Sequence, residues 1–156
     1  MFLVLALAAQ AGAVELRGSV VSIQDGDTLT VLINHQSVKV RLIDIDAPEA
    51  KQPFGQQSKQ FLSMLCVGKP IRIDTTSKDR YGRSLARVTC GNTDVNAEMV
   101  SRGMAWVYDE YVKDRTLYQL QDEARSSDRG LWTDSKSIAP WEWRKLGKGA
   151  REKYRL

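Results

Sequence analysis

The sequence predicts a small closed, or nearly closed, β-barrel with a few helices packed on it, an α+β domain of mainly β character. Three observations lead there. Between Arg17 and Thr76 apolar residues recur mostly with period two, the spacing of strands that bury one face. The first three of these segments follow one another across short polar breaks, leaving no room for the crossover helix that a parallel doubly wound sheet requires. Helical spacing then appears in three later windows, so about five strands and about three helices share 156 residues, enough for one domain with an apolar core.

The first fourteen residues, MFLVLALAAQAGAV, carry no charge, and Ala11-Gly12-Ala13 is the small-x-small pattern that a signal peptidase cuts after. Residues 1–13 therefore read as a signal peptide that sends the chain to the periplasm or outside the cell, with a buried N-terminal strand or helix as the alternative. The run is short of the roughly 20 apolar residues that a membrane span needs, so no span is expected. Val20, Val21 and Ile23 mark a first strand. Leu29, Val31 and Ile33, then Val38, Val40 and Leu42, form two alternating runs around the turn Asn34-His35-Gln36, an antiparallel hairpin with one buried face. The phase slips at Leu42-Ile43, which predicts a bulge or bend just there.

From about Phe54 to Cys66 the spacing is helical, with Phe54, Phe61 and Leu65 on one stripe and Gly68 as the stop. Ile71 and Ile73 mark another strand, Ala86, Val88 and Cys90 the next, with Arg80-Tyr81-Gly82-Arg83 between them. Asp94 is placed to cap a helix ending near Gly103. Asp114 or Thr116 is placed to cap one that carries Leu117, Leu120 and Ala124 and ends before Gly130.

With 42% apolar and 27% charged residues the chain has the composition of a soluble globular protein, and its net charge is +4. The last thirteen residues, RKLGKGAREKYRL, hold six Lys or Arg against one Glu, so the body is close to neutral. Residues 14–143 are expected to form the domain and 144–156 a basic tail, solvated or attracted to phosphates. Export would give Cys66 and Cys90 a use as a disulfide between a helix end and a strand end, two free buried thiols being the alternative. The single histidine, His35, falls in a turn, which excludes a Cys/His nucleophile pair and a His/Cys zinc site.

Two acidic stretches carry the chemistry: Asp25-Gly26-Asp27-Thr28 at the entry to a strand, and Asp44 to Glu49, DIDAPE, at the exit of the next. Three carboxylates and a proline in six residues suit a purely structural strand poorly. If the hairpin pairs as its pattern indicates, Asp27 and Asp46 meet at one end of the sheet and could share a hard cation such as Ca²⁺ or Mg²⁺. An isolated Asp-Gly is otherwise a common turn. Arg41 and Arg83 offer planar forks for phosphate oxygens, or simply ion-pair partners for the same carboxylates. A cation, two arginines and a spare carboxylate, Glu49, are together what phosphodiester hydrolysis needs.

DGDT at 25–28, VRLIDIDAPE at 40–49, RYGR at 80–83, VNAEMVSRGMAWV at 95–107 and GLW at 130–132 resemble, in order and spacing, the staphylococcal nuclease (thermonuclease) family. The resemblance implies an OB-fold barrel with three helices and a Ca²⁺-dependent endonuclease that cleaves DNA and RNA to 3′-phosphate and 5′-hydroxyl ends. Matched by position, it places the metal carboxylates on Asp27 and Asp46 and a carbonyl ligand on Ala47, where the family's first member has threonine. It places the water-orienting base on Glu49 and the phosphate-binding arginines on Arg41 and Arg83. Nucleotide contacts fall on Arg80, Tyr81, Leu85 and Tyr111; a second tyrosine position falls on Asp109, one residue from Tyr108. DNA and RNA are the implied partners, no protein partner is called for, and the chain is expected to act as a monomer. The alternative from another class is an OB-fold module that binds nucleic acid without cutting it.

Overall fold

Alternating burial builds the sheet. In β2 (Thr28–Ile33) Leu29, Val31 and Ile33 are buried while Leu32 faces out, and β3 (Gln36–Leu42) buries Val40 and Leu42. The computed structural model describes residues 14–154; the expected signal peptide, residues 1–13, lies outside them. Asn34 and His35 join the two strands with φ of 47° and 64°, the left-handed pair that a two-residue hairpin requires, so His35 is a turn residue.

β1 (Val14–Ile23) serves both halves of the sheet. Its second half pairs antiparallel with β2, from Ser19↔Leu32 to Ile23↔Leu29, and its first half with β5 (Ile71–Lys78), from Val14↔Thr75 to Gly18↔Ile71. At the changeover, a Cβ on Gly18 would stand 2.2 Å from the Leu32 carbonyl oxygen, so only glycine lets the strands approach this closely. β5 pairs with β6 (Ser84–Cys90), which returns parallel to β3 through Val40↔Ser84, Arg41↔Leu85 and Leu42↔Ala86. That last pairing closes a five-stranded OB-fold barrel and leaves its main strands with partners on both sides.

α1 (Gly55–Cys66) crosses between the hairpin and β5. β7 (Thr93–Asp94) leads into α2 (Val95–Ser101), where the Asp94 side chain accepts from the Ala97 N–H as an N-cap. α3 (Leu117–Ser126) follows Thr116, whose own N–H and hydroxyl bond Asp114. Leu62 of α1, Met99 of α2 and Leu117 of α3 pack fully buried on the barrel core of Leu29, Val31, Ile73 and Val88. The bend expected at Leu42-Ile43 is a turn with Asp44 at φ 66°, after which β4 (Ile45–Asp46) pairs with β8 (Trp106–Val107).

The three expected helices are all present, and two short ones follow. α4 (Pro140–Lys145) starts on a proline that pre-sets the helical φ, and α5 (Lys148–Arg151) continues it. The start of the run read as a solvated tail is thus the end of an anchored helix, because Trp143, only 3% exposed, packs beneath it. No helix among the described residues is long and apolar enough to cross a membrane.

Cys66 and Cys90, the last residues of α1 and β6, are joined in a disulfide with their Cα atoms 5.1 Å apart and a sequence separation of 24. Closing a loop of that length in the unfolded chain contributes about 3 kcal/mol. Reduction, or the Cys66→Ser/Cys90→Ser pair, is therefore expected to lower the melting temperature by about 10 °C, read by thermal unfolding with and without reductant.

Candidate active site

The hairpin register assembles the site. Thr28 sits opposite Arg41, so the entry to β2 and the exit of β3 share one end of the barrel, and the Leu42 N–H donates to the Asp27 carbonyl at 2.9 Å. Asp27 is nearly buried. Its Oδ1 accepts from the Thr28 hydroxyl at 3.0 Å, and its Oδ2 accepts from the Ala47 N–H at 2.7 Å, which ties DGDT directly to DIDAPE. Gly26 makes that approach possible: a Cβ there would lie 2.6 Å from the Ser58 Cβ and 2.7 Å from the Ala47 Cβ.

Arg41 lies between the two carboxylates. Its Nε is 3.1 Å from Asp27 Oδ1, its Nη2 is 3.0 Å from Asp46 Oδ1, and its Nη1 donates to the Ile45 carbonyl at 2.9 Å. Asp44 does different work. Its carboxylate accepts from the Lys113 N–H at 2.7 Å and its carbonyl from the Tyr108 N–H at 2.9 Å, so it fastens the 108–113 loop beside the site.

Arg83 is held apart from this cluster by its own turn. Asp79 accepts from the Arg83 Nε at 2.7 Å, and from the N–H groups of Tyr81 and Arg83 at 2.9 and 3.0 Å. Tyr81 is 69% exposed, with the guanidinium carbons of Arg80 and Arg83 at 4.9 and 5.6 Å from its ring centroid. Tyr111 is 60% exposed and meets Tyr108 edge-on at 4.9 Å, while Tyr108 stacks on Trp141 at 5.2 Å with nearly parallel rings. One open cleft of about 800 Å³ is lined by all ten site residues picked from the sequence, Ala47, Leu85 and Glu49 among them.

Acidic charge is in excess where DGDT meets DIDAPE. Burial, reinforced by the neighbouring Asp27, pushes the Asp25 carboxyl up to about 7, and burial likewise raises Asp46 against the opposing pull of its arginines. Two residues escaped the sequence reading. Arg144, in α4, places its Nη2 2.7 Å from Asp46 Oδ2 and its Nη1 2.9 Å from Glu49 Oε1. The basic run after it disguised it, although Pro140 ahead of Trp141 and Trp143 signals a docked helix. Asp79 was the other; an aspartate two residues ahead of Tyr81-Gly82 is the signal of a side-chain-capped turn.

The family model described as staphylococcal nuclease homologue matches residues 39–134, more than half of the chain. The chain belongs to the staphylococcal nuclease family. Among its relatives in that family are a micrococcal nuclease of Shigella flexneri, 43% identical over 147 residues, or 87% of this chain and 84% of that one. An uncharacterized endonuclease of Haemophilus influenzae is 48% identical over 130 residues, 83% of this chain and 73% of the other. A staphylococcal-like nuclease of Arabidopsis thaliana is 37% identical over 111 residues, which cover 71% of this chain and 34% of the plant protein. Arg41, Asp46, Glu49 and Arg83 fall within the matched stretch. Asp27 and Arg144 lie on either side of it and reach the cleft through barrel pairing and α4.

Gly26→Ala is expected to wedge Ser58 from Ala47 and cost about 1–3 kcal/mol, with faster hydrogen exchange at the Ala47 amide as the local sign. The Asp79 carboxyl lies below its ordinary range because hydrogen bonds from Arg83 outweigh burial, which pushes the other way. Its stabilising contribution is therefore present above the unfolded value of about 4 and is lost as pH falls through the lower folded value. Asp79→Asn should be less stable than the wild type at pH 7, with the gap closing below about pH 4 in a denaturant series against pH.

Proposed function

We propose that the protein is an exported, Ca²⁺-dependent endonuclease that hydrolyses phosphodiester bonds of DNA and RNA to 3′-phosphate and 5′-hydroxyl ends. The observation that carries this is the convergence of Asp27, Asp46, Arg41, Glu49 and Arg83 on one open cleft in a member of the staphylococcal nuclease family. The residues present fit a hard cation. Every candidate donor at the acidic end is an oxygen, the two cysteines are spent in a disulfide, and the sole histidine is in the distant hairpin turn. Among the described residues no three carboxylates, imidazoles or thiols form a closed cage. Asp27, Asp46 and the Ala47 carbonyl would hold the ion, leaving the rest of its six to eight oxygen positions to water and substrate. When bound, the ion supplies Lewis-acid polarisation of the phosphoryl group.

The chain's own residues do the remaining work. Glu49, 40% exposed in its side chain at the cleft, orients the attacking water and takes its proton. Arg41 and Arg83 donate to the non-bridging oxygens as the phosphorus becomes five-coordinate. The water oxygen bonds to phosphorus, the bond to the 5′ oxygen breaks, and that oxygen takes a proton from solvent water and leaves as the hydroxyl, Glu49 later returning its proton to solvent. The phosphate stays on the 3′ side. Tyr81, Tyr111 and Leu85 offer faces for a base and sugar, with Arg80 beside them for the backbone; an unpaired nucleotide fits such a site best, so single strands should be cut faster than duplex. Every proposed group comes from one chain, which suits a monomer whose partner is nucleic acid alone. Export is supported by the uncharged N-terminal run and by a disulfide suited to an oxidising compartment.

Cleavage of a labelled single-stranded oligonucleotide, with Ca²⁺ and with excess chelator, tests the proposal. Cutting is expected only with Ca²⁺. Glu49→Gln should lose at least about 100-fold in kcat while binding Ca²⁺ nearly as well as the wild type, and Arg83→Ala should also fail to cut efficiently. Tight binding without cutting under every metal tried would make the protein a nucleic-acid-binding barrel instead.

A further inference from the structure

Arg144 touches two residues to which the proposed function gives work, and that function assigns it nothing. Among the described residues, the one group bonded to the Glu49 carboxylate is this guanidinium, and the same fork grips Asp46 Oδ2. Glu49 is at the cleft mouth with its side chain 40% exposed, so without a partner its carboxylate would sample several rotamers. Asp46, by contrast, is 3% exposed in its side chain and fixed. A guanidinium spanning both ties the exposed acid to the buried one.

The arm that carries Arg144 is itself secured at several points. Trp143 is buried next to it in α4, Trp141 stacks on Tyr108, and the Arg151 guanidinium lies over the Trp143 ring. Gln52, itself buried, accepts from the Glu49 N–H at 3.1 Å and donates from its amide nitrogen to the Ile138 carbonyl at 2.6 Å. The Glu49 turn and the segment leading into α4 are thus joined twice, once through the backbone by Gln52 and once through the side chain by Arg144. A surface ion pair of no consequence has no need of the first link.

We propose that Arg144 is a positioning residue of the active site: it holds the Glu49 carboxylate in register with Asp46 and, as a competing cation on Asp46, weakens metal binding there. The inference rests on the roles given above to Glu49 and Asp46. It has an unusual corollary, that removing Arg144 improves affinity for the metal while harming turnover. Lysine cannot replace it fully, since one ammonium lacks the planar fork that spans two carboxylates.

The experiment uses the full chain as wild type, Arg144→Met, Arg144→Lys, Glu49→Gln and the Glu49→Gln/Arg144→Met double variant. Calorimetry without nucleic acid gives the Kd for Ca²⁺, and a single-stranded oligonucleotide gives kcat and KM. Arg144→Met is expected to bind Ca²⁺ about 3- to 10-fold more tightly, because a positive charge beside the site is gone. Its kcat should fall about 10- to 100-fold with KM within about 3-fold, the loss expected when a catalytic group is misplaced. In the Glu49→Gln background the same change should cost less than about 3-fold more, since a residue acting through Glu49 has nothing left to act on. Arg144→Lys keeps the charge and the stem; it should retain wild-type Ca²⁺ affinity yet lose kcat, and it decides the matter alone if Arg144→Met proves unstable on melting.

Unchanged kcat in both variants would overturn the inference and leave the nuclease standing. So would an Arg144→Met loss that persists undiminished in the Glu49→Gln background, which would make Arg144 a direct substrate contact, or a Ca²⁺ affinity that weakens. A wild type that neither binds Ca²⁺ nor cuts would overturn the function first and this inference with it.

Discussion

Two carboxylates brought together at the end of a barrel repel, and the Arg41 guanidinium is what lets Asp27 and Asp46 stay there. Its side chain is only 12% exposed, it contacts both acids, and its Nη1 donates to the Leu42 and Ile45 carbonyls, which leaves one Nη2 N–H to turn toward the cleft. Removing one member of such a buried network typically costs about 3–5 kcal/mol, because the others are left charged and unpaired. The exit of β3, the Asp44 turn and the short β4–β8 ladder all depend on that arrangement, since they place Asp46 where Arg41 can reach it. The Ala47 N–H then finishes the job by binding Asp27 from the other side.

The cluster remains acidic even so. Asp25 is raised by burial and by Asp27, and Asp46 by burial, so negative charge at this end of the barrel is held at a cost. The barrel supplies the rigidity for this through a core of Leu29, Val31, Val40 and Val88, all fully buried, and through helix–barrel contacts stapled by Cys66–Cys90.

Much of this could be read from the chain alone, for identifiable reasons. The meeting of Asp27 and Asp46 follows from period-two patterning and a two-residue turn, because the register of a hairpin is fixed locally. The disulfide was legible only as one of two readings, suggested by the expected export, since nothing in the sequence brings the end of α1 next to the end of β6. The work of Asp44 was not, since its partner is the Lys113 N–H, 69 residues away, and nothing local announces it. Arg144 was hidden by composition: read among six basic residues it looks like one more solvated charge, and only the burial of Trp143 separates it from them. The double service of β1, pairing with both β2 and β5, was equally out of reach, as it depends on a close approach at Gly18.

The parallel pairing of β3 with β6 has a kinetic side. It joins residues 44 positions apart, Val40 and Ser84, across β4, α1 and β5, the kind of non-local contact that forms slowly. It also sets Arg41 against Leu85, and hence brings the β3 arginine alongside the turn that carries Arg83. Topological closure of the barrel and convergence of the two arginines are therefore a single event. A chain that has not yet made this pairing has the acids of the β2–β3 end without the Arg83 turn set beside them.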